Sequence, residues 1–239
     1  MKTNKLQKIS AVQHRIANQW GFRPDSFHAS NNLILESSEV FFEMVTFGEH
    51  AIIRVDKEML AWCEAHMNKL PACELMDGDQ LFLIEAELRK HGKKLAGEHV
   101  RYLYGKQTSV KKPSGYEYRL FDQIELKELY ANKNFHNALI YKNDVIALGA
   151  FDGQQLVALA GADDYMKNLW QIGIDTLPAY RNKGLATYLV QGLAEEIETR
   201  GAIPYYTTWG ANIASTLVAL RAGFFPAWVS YYAVEHDQI

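Results

Sequence analysis

The stretch from Asp175 to Thr187 leaves the chain few ways to fold. Upstream of its centre, Leu169, Ile172, Ile174 and Thr176 form a short apolar, β-prone run. Pro178 stops that run, because proline cannot donate to a sheet ladder. Downstream, Leu185, Tyr188, Leu189, Leu193 and Ile197 recur at three- and four-residue spacing, one face of a helix. A strand must end, turn through Arg181-Asn-Lys-Gly184-Leu-Ala186, and feed a helix.

The first N–H groups of a helix have no intrahelical partner and sit at the positive end of its dipole. Small residues at Gly184 and Ala186 let an anion approach that backbone. Arg181 and Lys183 add positive charge where a phosphate would dock. The chemistry fits a phosphate or pyrophosphate. A plain strand–helix join with incidental basic residues fits the loop equally well when it is taken alone. The loop is neither Gly-x4-Gly-Lys-Ser/Thr nor Gly-x-Gly-x-x-Gly.

Arg181-x-x-Gly184-x-Ala186 resembles the Arg/Gln-x-x-Gly-x-Gly/Ala signature of the GNAT acetyltransferases. The preceding Ile172–Tyr180 run is similar to the strand that leads into that signature. Asn212-Ile-Ala-Ser-Thr-Leu-Val-Ala-Leu-Arg-Ala-Gly-Phe224 resembles the family's next helix, with Asn near its start and Gly-Phe at its end. The resemblance covers about residues 116–235, half of the chain.

Composition narrows the partners. The chain has 239 residues, 48% hydrophobic and 22% charged, with net charge −3. That is ordinary for a globular protein of one large or two small domains. With no lysine or arginine run, neither nucleic acid nor a membrane surface is expected as partner. Residues 1–8 lack the apolar core of a signal peptide, and two cysteines, Cys63 and Cys73, suit a reducing compartment. A cytoplasmic location is expected, as monomer or homodimer. Cys63-x-x-His66 has ligand-like spacing, with Cys73 near. Three ligands fall short of a structural zinc site, and the same spacing follows one helix face, so no metal is expected.

Along the chain, Leu6, Ile9, Val12, Ile16 and Trp20 predict an amphipathic helix closed by Gly21. Residues 41–47 and 51–55 predict a hairpin, 59–67 a helix capped by Asp56, and 79–91 a helix ended by Gly92. Lys111-Lys-Pro-Ser-Gly115 is polar and rich in turn formers, so it reads as a linker. It divides an N-terminal α+β region, 1–110, from a second domain, 116–239. Residues 116–120 predict a strand. Asp122-Gln-Ile-Glu125 has capping-box form and should open a helix through Ile124, Leu129 and Tyr130. Strands follow at 145–151 and 155–160 around Asp152-Gly153, then at 169–176, 202–209 and 225–234. A helix at 212–220 carries Ile213, Leu217 and Leu220 on one face.

The fold class expected is α/β. The resemblance implies a GNAT-like mixed sheet flanked by helices and splayed between its fourth and fifth strands. The N-terminal region is expected to close over the pocket, as a degenerate related half or a substrate lid. The resemblance also implies acetyl-coenzyme A as co-substrate, held by backbone N–H groups from Asn182 to Thr187. These are Asn182, Lys183, Gly184, Leu185, Ala186 and Thr187, with Arg181 beside them. The pantetheine arm would run along Ile174, Asp175 and Thr176 as an added strand. Asn212 would bond the arm, although an N-cap role explains it as well. Strand-edge N–H groups could polarise the thioester carbonyl.

The reaction implied is attack of a small-molecule primary amine on the thioester. The family's usual tyrosine, four residues before the glycine of Gly-Phe, is Ala219 here. Trp170, Ile172 and Thr207 fill the likely slots of its glutamate base. Ser215, one turn into the helix, is the candidate proton donor, beside Tyr205, Tyr206 and His136 as others. Asp175 should point away from Ile174 and Thr176. Trp170, Tyr206, Thr208 and Trp209 are candidate acceptor-binding residues. With the tyrosine slot empty, a non-catalytic acyl-coenzyme A sensor is the alternative.

Overall fold

The computed structural model describes residues 2–106, 109–140 and 143–237. The first part of the chain forms α1 (Lys2–Trp20), β1 (Leu33–Glu36), β2 (Phe42–Thr46), β3 (Ala51–Val55) and α2 (Lys57–Met67). Next come α3 (Ala72–Leu75), α4 (Gly78–Lys90), β4 (Lys93–Leu95), β5 (His99–Tyr104) and β6 (Glu117–Asp122). Then follow β7 (Asp144–Asp152), β8 (Gln155–Met166), β9 (Leu169–Thr176) and α5 (Leu185–Thr199). The chain finishes with β10 (Ile203–Trp209), α6 (Ile213–Arg221) and β11 (Phe224–Glu235).

Two compact units form, Met1–Val100 with Ala227–Ile239, and Arg101–Pro226. Their limits differ from a division at 111–115, which lies inside the second unit. The unit limits fall within β5 and β11, where no cluster of turn formers marks them in the sequence.

In the first unit, β2 and β3 pair antiparallel as the expected hairpin, and β1 joins β3 in parallel. The later part of β11 adds to β2, and β4 adds to β11. Asp56 caps α2 by accepting from Glu58 N. Phe42, Met44, Ile53, Met59, Cys63, Ile84 and Leu88 fill this unit's core.

In the second unit the strand order is β5-β10-β9-β8-β7-β6. Strands β6 to β9 form an antiparallel meander, and β10 joins β9 in parallel. The sheet is mixed, as the resemblance implied. Its two faces follow from register. Leu148, Ala160 and Ile174 sit side by side on one face. Gly192 of α5 approaches Leu148 closely, so α5 covers that face. Ala147, Gly161 and Gly173 share the other face. A methyl on Gly161 or Gly173 would overlap the carbonyl oxygen of Ala138 or Asn137, so residues 137–138 press on the sheet there.

Asp175 fixes that contact. Its Oδ2 accepts from Asn137 N at 2.7 Å and Ala138 N at 3.0 Å, and its Oδ1 from Asn137 Nδ2 at 2.7 Å. The carboxylate therefore points away from Ile174 and Thr176, as strand alternation requires. Phe121, Leu126, Phe135 and Leu139 pack beside it on the same layer.

Two local expectations are corrected. The capping box forms: Asp122 N donates to Glu125 Oε2 at 3.0 Å, and Asp122 Oδ1 accepts from Glu125 N at 3.2 Å. It opens only a 3-10 turn, Glu125–Glu128, not a helix. Asn132 then starts a second such turn by accepting from Asn134 N, and this side-chain competition interrupts any α-helix. On α6, Ile213, Leu217 and Leu220 share one stripe, but it faces outward at 61%, 41% and 46% exposure. The buried position is Ala219, with Ala222 just past the helix end, so small side chains draw that helix in.

Gly173→Ala should lower the melting temperature by several degrees, since a clash with main chain costs ~1–3 kcal/mol. Thermal unfolding followed by circular dichroism would read this. A melt equal to that of the wild type would refute the close contact.

Candidate active site

Pairing between β9 and β10 covers only Leu169–Ile172 against Ile203–Tyr206. Beyond Ile172 and Tyr206 the two strands run on without pairing each other. Gly173–Thr176 keeps β8 on one side and faces a gap on the other. The sheet is thus splayed between β9 and β10, with α5 leaving from the mouth of the split.

The turn into α5 has the features an anion needs. After a 3-10 turn at Pro178–Tyr180, Asn182 adopts φ +63° and Gly184 φ +82°. Gly184 is the N-cap of α5 and has no side chain to satisfy the first N–H groups. No acidic residue stands in that first turn. Leu185 is buried, while Ala186 and Thr187 are half-buried beside it. Arg181 turns back, its Nε donating to Thr176 O at 3.3 Å. Lys183 Nζ lies 4.7 Å from the centre of the Tyr180 ring.

A wall unforeseen by composition stands opposite. Lys111, Lys112, Pro113, Ser114 and Tyr116 line a cleft of about 480 Å³ with Lys183 and Gly184. Three fastenings hold this segment: Val110 N donates to Gln191 Oε1 at 2.7 Å, and Tyr118 Oη to Pro113 O at 2.9 Å. Lys112 Nζ sits 4.8 Å from the Tyr118 ring centre. The same lysines and proline that read as a linker thus put positive charge at the helix tip. Gln191, far away in sequence, is the missing signal, with Tyr118 close by completing the hold.

Along the split, Ile174 and Thr176 lie on the α5 face and Asp175 on the other, its carboxylate spent on residues 137–138. Thr176 Oγ1 is buried without a hydrogen-bond partner. A buried hydroxyl left this way is costly unless something completes it. Asn212 caps α6, its Oδ1 accepting from Ser215 N at 3.1 Å, which leaves the NH₂ as a donor. Ser215 Oγ lies 2.6 Å from Tyr206 Oη. Ala219 is fully buried and brings only a methyl.

The acceptor candidates disperse. Tyr206 and Thr208 are buried on the α5 face of β10. Trp170 is half-buried near the paired end of β9, beside Pro204, and Trp209 is 60% exposed. Tyr205 projects to the opposite face, donating to Gln171 Oε1 at 2.8 Å. There Arg101 donates to Thr207 Oγ1 at 2.9 Å and to Gln171 at 3.3 Å, a cluster the sequence did not announce. His136 is exposed, with Nδ1 2.9 Å from Lys133 O.

Elsewhere, burial, helped by Glu87 and Glu64, pushes the Cys63 thiol up to about 12. His66 stacks on Trp62, and Cys73 is exposed. Among the described residues no three His, Cys, Asp or Glu side chains gather as a metal would need. Nor is any helix among them long and apolar enough to cross a membrane.

The model of the family described as GNAT acetyltransferase matches residues 88–227, more than half of the chain. The chain belongs to the GNAT acetyltransferase family. No match was found among curated proteins. Among solved structures, one shares the fold and others are similar over part of the chain. A Drosophila protein is 17% identical with a TM-score of 0.50, over 76% of this chain and 68% of its own. A GCN5-related N-acetyltransferase-like protein from Streptococcus suis is 19% identical, TM-score 0.48, over 66% and 69%. A GCN5-related N-acetyltransferase from Kribbella flavida is 18% identical, TM-score 0.48. That alignment covers 63% of each chain, so this chain spans less than two thirds of the Kribbella protein.

Gly184→Glu should weaken coenzyme A binding at least tenfold by calorimetry, because a carboxylate at the helix tip repels the diphosphate. Gly184→Ala should cost stability, at ~1–2 kcal/mol for the left-handed backbone, and affect affinity less. Equal affinities for wild type and Gly184→Glu would remove the site from this loop.

Proposed function

We propose that this GNAT-family protein is an acetyl-coenzyme A-dependent N-acetyltransferase that acetylates a primary amine of a small molecule. One observation carries the reading: the uncapped start of α5 follows the strand end that β10 leaves unpaired, and that end carries the buried, unpartnered Thr176 hydroxyl. The residues fit the co-substrate in kind. Backbone N–H groups from Asn182 to Thr187 suit a diphosphate. Lys183, Lys111 and Lys112 supply countercharge. The unpaired edge of Ile174–Thr176 suits an amide-bearing arm, with the Asn212 NH₂ as a further donor.

When bound, acetyl-coenzyme A supplies an activated acyl carbon and a thiolate leaving group. The α5 tip and the edge of Ile174–Thr176 would hold it so that the acyl carbon lies toward the vertex of the split, where β9–β10 pairing ends at Ile172 and Tyr206. The attacking amine must be neutral. The near-neutral, slightly acidic chain favours a small amine over a polyanionic acceptor.

A second reading rests on Ala219. With only a methyl where an acid is expected, the chain could bind acyl-coenzyme A and read it without turnover. Thiol release from acetyl-coenzyme A against a panel of amines, amino-acid derivatives and peptide N-termini separates the two. For the enzyme, release depends on the amine and rises about tenfold per pH unit below the amine's own pKa. Tight binding with no release across the panel favours the sensor.

A further inference from the structure

The split brings together two hydroxyls that the sequence keeps apart. Tyr206 is the last residue of β10 to pair with β9, so it stands at the vertex. Its ring is 2% exposed and meets Phe224 edge-on at 6.0 Å. Ser215, in the first turn of α6, is half-buried and lies 2.6 Å from it, oxygen to oxygen. The Asn212 cap holds the Ser215 backbone in place. A ligand gripped at the α5 tip and laid along Ile174–Thr176 ends beside this pair. One turn beyond, Ala219 offers nothing to a leaving group.

Either oxygen of this pair could donate, and relative acidity favours one of the two arrangements. A phenol is a far stronger acid than an aliphatic alcohol, so Tyr206 donates and Ser215 accepts. The serine proton is then free to point elsewhere. We propose that Tyr206 orients Ser215 so that the serine hydroxyl donates to the sulfur departing from the thioester. Ser215 is the donor and Tyr206 its positioning residue. The inference rests on the acetyltransferase reading.

The step balances without ionising either side chain. The amine nitrogen bonds the acyl carbon, the carbon–sulfur bond breaks, and its electron pair stays on sulfur. The proton lost by nitrogen goes to water, and the thiolate later takes one from water. Burial pushes the Tyr206 phenol up to about 12, so it keeps its proton at neutral pH and can donate. A thiol titrates near ~8.5, so hydrogen bonding, not proton transfer, is the service rendered.

The test uses the whole protein with coenzyme A. Calorimetry gives affinity, and ultraviolet absorbance of the bound thiolate, titrated with pH and corrected with ligand-free protein, gives the thiol pKa. The wild-type complex should titrate lower than Tyr206→Phe or Ser215→Ala, and the double variant should match Ser215→Ala. Ser215→Thr should restore the wild-type value. In turnover each single variant should lose about tenfold in kcat with KM for acetyl-coenzyme A unchanged, the weight of one hydrogen bond. A bound thiol that titrates alike in wild type and Tyr206→Phe overturns the proposal alone. So do effects of the two variants that simply add. A wild-type protein that fails to bind coenzyme A overturns the functional reading with it.

Discussion

The second unit depends on a strand that loses its neighbour halfway. β9 pairs with β10 as far as Ile172, and then keeps only β8. Backbone N–H and C=O groups along Gly173–Thr176 face a gap instead of a partner strand. These residues are only half-buried, and Arg181 meets the Thr176 carbonyl, so the loss of a partner strand costs less here than it would in the core. The sheet tolerates this because other contacts hold β9 in place. Asp175 ties it to residues 137–138, Leu177 N reaches Val157 O, and α5 lies across its face. These contacts keep β9 in register with β8 past the point where β10 leaves it.

Much of this was legible in the sequence. The run Leu169–Thr176 becomes β9 at those limits, and Gly153 adopts φ +57° in the expected hairpin turn. The helix after Gly184 and the Asn212 cap also form where local signals put them. These features are legible because each is written within one turn or one strand. The capping box at Asp122 shows the limit. Its bonds are local and form, yet Asn132 a few residues on decides how far the helix extends.

What the sequence could not show is what depends on long-range pairing. Lys111–Ser114 has the composition of a linker, but the distant Gln191 fastens it as a wall. The apolar stripe of α6 suggests a buried face, yet Ala219 sets the packed side because close approach favours small residues. Tyr206 and Ser215 meet only because β10 stops pairing where α6 begins to cross it. The resemblance to a family supplied the split itself. Periodicity alone would have said no more than α/β.

Gln191 has a mechanical consequence. Its side chain is 6% exposed, its Oε1 takes the Val110 N–H, and its Nε2 reaches the Ala222 carbonyl just past the end of α6. One amide thus fastens the lysine-bearing wall to the end of the helix that carries Ser215. Losing that one buried side chain would therefore release the lysine-bearing segment and the end of α6 together.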